Sequence, residues 1–306
     1  RTLTECGFAC SPREVICREH APFEHPSIKW GGCAVTAAEA NHCLVSPRIP
    51  VLMYHRIAVD GPDKLAPYRL SPDAFERQLA YLQRYGYYSL SMDEFCNNWF
   101  TQTATEMPGR PIVLTFDDAY LDFYEIAWPL LRKFGFGATV FVPVNFVGAS
   151  AEWDGDAGEP AKLMDWHHLH ELNQNGINIG AHSCAHVRPS QMTSEEFSND
   201  TKQSKKILEA QFDREITGYC YPFASAEMVH REIVKEAGFK YAVGGTGGDP
   251  DDRKNSFYIP RIEIFGSDSM IDFIAKLPKS ELANPARREA FEELRARRDR
   301  ATYMGR

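Results

Sequence analysis

Two short stretches hold the residue types from which a hydrolytic site can be built. In AHSCAH, His182 and His186 stand four apart, directly after the apolar segment INIG. If the chain is helical or tightly turned there, both imidazoles can face one point. Two histidines and one carboxylate form a standard set for a divalent metal that keeps a position for water. In IVLTFDDAYLDF, Asp117 and Asp118 are adjacent at the end of an apolar run. Neighbouring carboxylates repel, and burying them is costly without compensation. A cation on one of them relieves the repulsion and leaves the other free as a base. Each pair also has a plainer reading. The histidines could be ordinary hydrogen-bonded residues, and one aspartate could cap the helix that follows.

The elements around these residues repeat in one order. Ile49–Tyr54 reads as a buried strand that ends at His55. Ser71 and Pro72 then open a helix with Phe75, Leu79 and Leu82 on one face and Gly86 as its stop. Ser91 with Glu94 forms a capping box for a short helix. Ile112–Phe116 reads as a strand, with a helix over Phe123–Lys133 and the strand ATVFVPV after it. Trp166–Asn175 is a helix stopped by Gly176, INIGAHS a strand, and Thr193 with Glu196 caps the next helix. TGYCYPF, a helix to Ala237 with Gly238 as its stop, FKYAVG and PRIEIF complete the alternation, and helices run to the end. Such alternation implies an α/β fold with a largely parallel sheet, open or closed into a barrel. In these folds chemistry collects at the carboxyl ends of strands. His55, Asp117, Asp118, His182, His186, Pro222 and Phe223 all fall just past predicted strands.

Composition narrows the field. With 43% hydrophobic and 25% charged residues and a formal net charge of −8, the 306-residue chain reads as globular, with no sign of a whole-chain nucleic-acid binder. The basic residues of RREAFEELRARRDR alternate with Glu and read as a solvated terminal helix. No apolar run is long enough for a transmembrane segment, and no export-signal pattern is visible in these residues. Cys6, Cys10, Cys17, Cys33 and Cys43 crowd the first stretch beside His20, His25 and His42, but irregularly and without a C-x-x-C pair. A zinc knuckle is therefore not expected there, and the cysteines leave the redox compartment open. We divide the chain into an irregular extension (1–48), a catalytic domain (49–278) and a C-terminal helical extension (279–306).

TFDDAY, HSCAH, the segment around YPF and the intervening MDWHHLHELNQNGINIGAHS together resemble the polysaccharide deacetylases of the NodB-homology type, carbohydrate esterase family four. The resemblance runs from about residue 49 to about 275. It implies a distorted (β/α) barrel and hydrolysis of an N-acetylated glycan with release of acetate. It further implies one divalent metal ion, usually zinc, with other divalent ions accepted in related enzymes. Carried onto this chain, it makes Asp117 the general base, Asp118, His182 and His186 the metal ligands, and the backbone N–H of Phe223, after Tyr221 and Pro222, the oxyanion donor.

Two positions depart from the common pattern. The family's R-x-P-Y motif, whose arginine braces the base, reads Cys220-Tyr221-Pro222-Phe223 here. Arg261, in FYIPRIEI, is the candidate replacement, with a surface ion pair as its alternative reading. The usual C-terminal acid histidine is also missing, since the last histidine is His230. VLMYHRI instead resembles the partly permuted branch that acts on poly-β-1,6-N-acetylglucosamine and similar exopolysaccharides. That makes His55 the candidate acid, with Arg56 positioning it or binding substrate. Trp153 and Asp154 sit in a Gly-rich loop that could line the groove. Trp166 reads as a packing residue, His167, His168 and His170 as an exposed helix face, and Cys184 as pointing away from the metal. Three alternatives stay open: an O-acetyl hydrolase, a small-molecule N-acyl hydrolase, or a non-catalytic glycan-binding module. The resemblance implies an envelope or secreted protein, while the residues leave a cytoplasmic one open. Oligomeric state is not legible.

Overall fold

A computed structural model describes residues 49–100, 109–246 and 255–278. Both extensions, with the cysteine cluster and the terminal basic helix, lie outside the described residues.

The core is an eight-stranded, wholly parallel sheet. Its strands are β1 (Val51–Tyr54), β4 (Tyr87–Leu90), β5 (Arg110–Phe116), β6 (Thr139–Val142), β7 (Asn178–Ala181), β8 (Gly218–Cys220), β9 (Tyr241–Val243) and β10 (Ile262–Glu263). The order is β10-β1-β5-β6-β7-β8-β9, with β4 also paired to β5. Two short strands, β2 (Arg56–Ile57) and β3 (Arg69–Leu70), form a separate parallel ribbon. The parallel sheet follows from the alternation, and it curls with its helices into a half-barrel, in line with the distorted (β/α) barrel that the resemblance implied. β5 is buried from Pro111 to Phe116, which is why it reads as an unbroken apolar run rather than an alternating one.

Among the described residues seven α-helices cover the sheet: α1 (Pro72–Arg84), α2 (Met92–Phe100), α3 (Trp128–Phe134), α4 (Trp166–Gln174), α5 (Ser194–Phe212), α6 (Met228–Glu236) and α7 (Met270–Lys276). Their starts follow the sequence signals. The Ser71 hydroxyl accepts from the Ala74 N–H at 3.2 Å, and Thr193 and Glu196 form a reciprocal capping box. α1 buries Phe75, Leu79 and Leu82, each of which contributes roughly 1.5–3 kcal/mol on leaving water.

Three features differ from the sequence expectation. β4, β2 and β3 were not expected. PRIEIF contributes only Ile262–Glu263 as strand, because past β10 the chain turns away under Gly266, where a Cβ would lie 2.2 Å from the Ala66 carbonyl oxygen. The helix expected over Phe123–Lys133 is a π-helical segment, Phe123–Ala127, that runs into α3. Single π turns of this kind are frequent at functional sites.

Candidate active site and metal centre

The loops after β1, β5, β7 and β8 meet at one cleft of about 560 Å³. His55, Arg56, Asp117, Asp118, His182 and His186 all line it. Its construction is visible in the backbone. Among the described residues, seven non-glycine positions have positive φ, and six of them (Asp118, Ala119, Ser183, His186, Phe223 and Ala224) lie in these loops. Left-handed conformations cost of order 1–3 kcal/mol each and persist where surroundings over-determine them.

The histidine turn is one case. His182 and His186 stand on a tight turn, not a helix. The Asp200 carboxylate on α5 accepts the Cys184 and Ala185 N–H groups, each at 2.9 Å, and the Ser183 hydroxyl accepts the His186 N–H at 2.8 Å. The Cys184 thiol donates to the Asp200 carbonyl, so it points away from the cleft as expected.

The Nε2 atoms of His182 and His186 converge on Asp118 Oδ1, at 3.2 and 3.1 Å. His182 Nδ1 lies 2.9 Å from the Cys220 carbonyl oxygen. A carbonyl only accepts, so Nδ1 carries the proton and Nε2 presents a lone pair to the centre. Asp118 Oδ1 is buried yet makes no hydrogen bond with good geometry among the described residues. Three buried donor atoms thus converge on one point, a donor set that fits a divalent cation. Burial opposes ionisation of Asp118, but His186 and His182 hold its carboxyl well below its ordinary value. Burial likewise opposes protonation of His182, yet Cys220, Asp118 and Asp117 outweigh it and raise its value, whereas burial holds His186 below its ordinary one. A second grouping, Asp117, His182 and Cys220, is compact enough for an ion. It fits poorly, because a guanidinium already fills that space.

That guanidinium is Arg261. It is 3% exposed, so the surface-pair reading does not hold. Nη1 donates to Asp117 Oδ1 and Nη2 to Asp117 Oδ2, both at 2.7 Å. Nε donates to the Gly244 carbonyl at 2.7 Å, and Nη2 also lies 3.2 Å from Cys220 Sγ. Burial pushes the Asp117 carboxyl up, and Arg261 more than offsets it, so Asp117 sits below the usual carboxylate range. Two residues of the YPF segment differ in placement. The Tyr221 side chain is buried, with its hydroxyl donating to the Phe257 carbonyl at 2.9 Å, and Pro222 is buried in the turn. Neither lines the cleft. Phe223 does, 42% exposed, between His186 (ring centroids 4.8 Å apart) and the Arg188 guanidinium (4.4 Å from its ring).

Other lining residues carried little or no sequence signal. Trp153 packs its ring 4.1 Å from His186. Asp154 is pushed up to about 6, first by burial and then by Asp118. Tyr68 lies 5.1 Å from the His55 ring. Asp122, the third aspartate of TFDDAYLDF, is not part of the lining and binds Arg56 from behind it. Trp166 packs against the core, and His167, His168 and His170 stay outside the cleft, as expected.

Residues 104–242 match the family model for polysaccharide deacetylases. Over these residues the chain is similar to that family. The match takes in Asp117, Asp118, His182, His186 and the YPF turn, but neither His55 nor Arg261. The chain is 26% identical, over 221 residues, to the poly-beta-1,6-N-acetyl-D-glucosamine N-deacetylase of Staphylococcus aureus, covering 68% of this chain and 71% of that protein. The deacetylase PplD of Streptococcus pyogenes, solved with acetate, is similar over 75% of this chain and 98% of its own, at 26% identity and a TM-score of 0.64. IcaB of Ammonifex degensii shares the fold at 22% identity, with a TM-score of 0.63 over 75% of this chain and 97% of its own. Deacetylases of this type are thus matched by sequence along most of the barrel and by fold throughout it.

Proposed function

We propose that this protein is a polysaccharide deacetylase, a metal-dependent hydrolase that removes N-acetyl groups from an N-acetylglucosamine-containing polysaccharide and releases acetate. The observation that carries the reading is the single cleft in which a buried, arginine-braced Asp117 lies beside the donor set of Asp118, His182 and His186. A divalent ion held by those three residues, zinc foremost, would supply Lewis acidity for a nearby water and for the acetamide carbonyl.

The chain's own residues do the rest. Asp117, kept ionised by Arg261, takes a proton from the attacking water. The Phe223 N–H donates to the developing oxyanion. The turn that presents it is held by close packing, since a Cβ on Gly245 would lie 2.5 Å from that of Ala224. His55 then protonates the leaving nitrogen as the C–N bond breaks, so that acetate and a free glucosamine amine result. Arg56 and the Phe223 ring contact the glycan. The product gains positive charge, as suits modification of a surface or exopolysaccharide at the cell envelope. No helix among the described residues is long and apolar enough to cross a membrane.

The test is to strip the full chain with a chelator and restore one divalent ion at a time, following acetate release from β-1,4- and β-1,6-linked N-acetylglucosamine oligomers. Metal-restored release supports the reading, and the preferred linkage selects the glycan. Tight metal binding without acetate release would point to an O-acetyl or small-molecule acyl substrate, or to a binding module. No metal binding would remove the roles given to Asp118, His182 and His186.

A further inference from the structure

The imidazole of His55 lacks the usual means of orientation. A histidine acid is commonly held through a hydrogen bond at its second ring nitrogen. His55 Nδ1 is buried and has no hydrogen-bond partner among the described residues. The ring touches Tyr68, and otherwise its direction follows from its backbone.

That backbone is tied down directly after His55. Asp122 Oδ2 accepts from Arg56 Nε at 2.8 Å, and Asp122 Oδ1 accepts from the Ile57 N–H at 3.1 Å. Both oxygens of one carboxylate are thus spent on two consecutive residues of a segment 65 and 66 positions away in sequence. Asp122 is 8% exposed and stands at the start of the π-helical segment. The Arg56 guanidinium lies over the Tyr120 ring, 5.3 Å from its centroid. Gly61 leaves room for this arrangement, since a Cβ there would lie 3.0 Å from Arg56 Nη1 and 2.7 Å from Arg69 Nη1. The ribbon of β2 and β3 returns Tyr68 to the His55 ring. A buried carboxylate that accepts one charged and one backbone donor makes a stiff joint.

We propose that Asp122 is a positioning residue: it clamps Arg56 and Ile57 to the loop after β5, and so aims His55 at the nitrogen that leaves Asp117's side of the cleft. The proposal rests on the reading of His55 as the acid. Asp122 touches neither substrate nor metal in this role.

A substrate whose leaving group needs no proton separates this role from simple structural support. The metal-loaded full chain is assayed on an N-acetylglucosamine oligomer, whose amine must be protonated, and on 4-nitrophenyl acetate, whose phenolate leaves unaided. Asp122→Asn keeps the side-chain volume and weakens the clamp. It is expected to lower kcat on the oligomer about 10–100-fold with KM within about 3-fold, since small misplacements cost rates of this order. Hydrolysis of the aryl acetate should stay within about 3-fold. His55→Gln should show the same selectivity, and the double variant should be no slower than His55→Gln alone, because the two residues act as one unit. Equal losses on both substrates, or multiplying effects in the double variant, would overturn the proposal. If His55→Gln keeps its oligomer activity, the acid reading itself fails and Asp122 has nothing to aim. If His55→Gln is selective and Asp122→Asn is not, only the clamp fails.

Discussion

Arg261 grips Asp117 with both terminal nitrogens, each 2.7 Å from a different carboxylate oxygen, across 144 residues of sequence. The pair is buried, and the arginine comes from the segment entering β10 rather than from the YPF turn. Where the family motif has its arginine, Cys220 leaves the space that the Arg261 guanidinium occupies. The guanidinium reaches Asp117 from the segment before β10 instead of from the end of β8.

Arg261→Met is expected to leave Asp117 buried and uncompensated, at a cost of about 3–5 kcal/mol in stability. The sign with pH follows from the lowered Asp117 value. The pair's contribution is complete above the unfolded aspartate value, near 3.9, and is lost as pH falls through the still lower folded one. Wild-type protein should therefore keep it throughout the neutral range. In the variant, burial alone raises the carboxyl, so the acid limb of kcat/KM should move to higher pH. Melts and pH–rate profiles of both proteins check this, and an unmoved acid limb would count against Asp117 as the base.

Cys220→Arg restores the family residue yet places a second guanidinium beside the first. We expect a strongly destabilised protein, because two buried cations would share one carboxylate. Adding Arg261→Met to Cys220→Arg should recover part of the loss. Thermal denaturation of the single and double variants decides, and a Cys220→Arg protein as stable as wild type would mean the site has room that the contacts deny.

Metal binding should divide the adjacent aspartates. Asp118→Asn and His182→Ala each remove a donor and should cost most of the zinc affinity. Asp117→Asn should keep the ion and lose turnover by about 10²–10⁴-fold. Chelation should lower the melting temperature of the wild type but barely that of Asp118→Asn, since an ion bound only to the folded state stabilises it. Calorimetric titration with zinc, read beside the acetate assay, tests the division.

Phe223 offers an exposed ring between His186 and Arg188. Phe223→Ala keeps the backbone N–H and removes the ring, so KM for the oligomer should rise several-fold, with a smaller change in kcat. Steady-state kinetics distinguish this from a loss in kcat alone, which would assign the ring to the chemistry instead.

Much of this protein is decided locally, and those parts could be read directly. The capping pairs Ser91–Glu94 and Thr193–Glu196 formed because a cap needs only residues three apart. β5 was legible because a strand buried on both faces must be apolar throughout. The placement of His55, Asp117, Asp118, His182 and His186 at strand ends followed from the alternation, since a parallel sheet gathers those ends on one side. β2 and β3 were not legible because two residues carry too little period to register, and β4 because Tyr-Tyr-Ser-Leu, only partly buried in its middle, is neither an apolar run nor an alternation. What the chain alone left open is which side chains meet. Arg261 was legible only as one of two readings, a brace for Asp117 or a surface pair, and the contact across 144 residues decided it. Asp122 against Arg56 and Trp153 against His186 join segments 66 and 33 residues apart and had no such signal. Such meetings depend on strand register and on how loops fold back over the sheet. Those are properties of the packed whole, and the residue types at either end are compatible with many other partners until packing selects one.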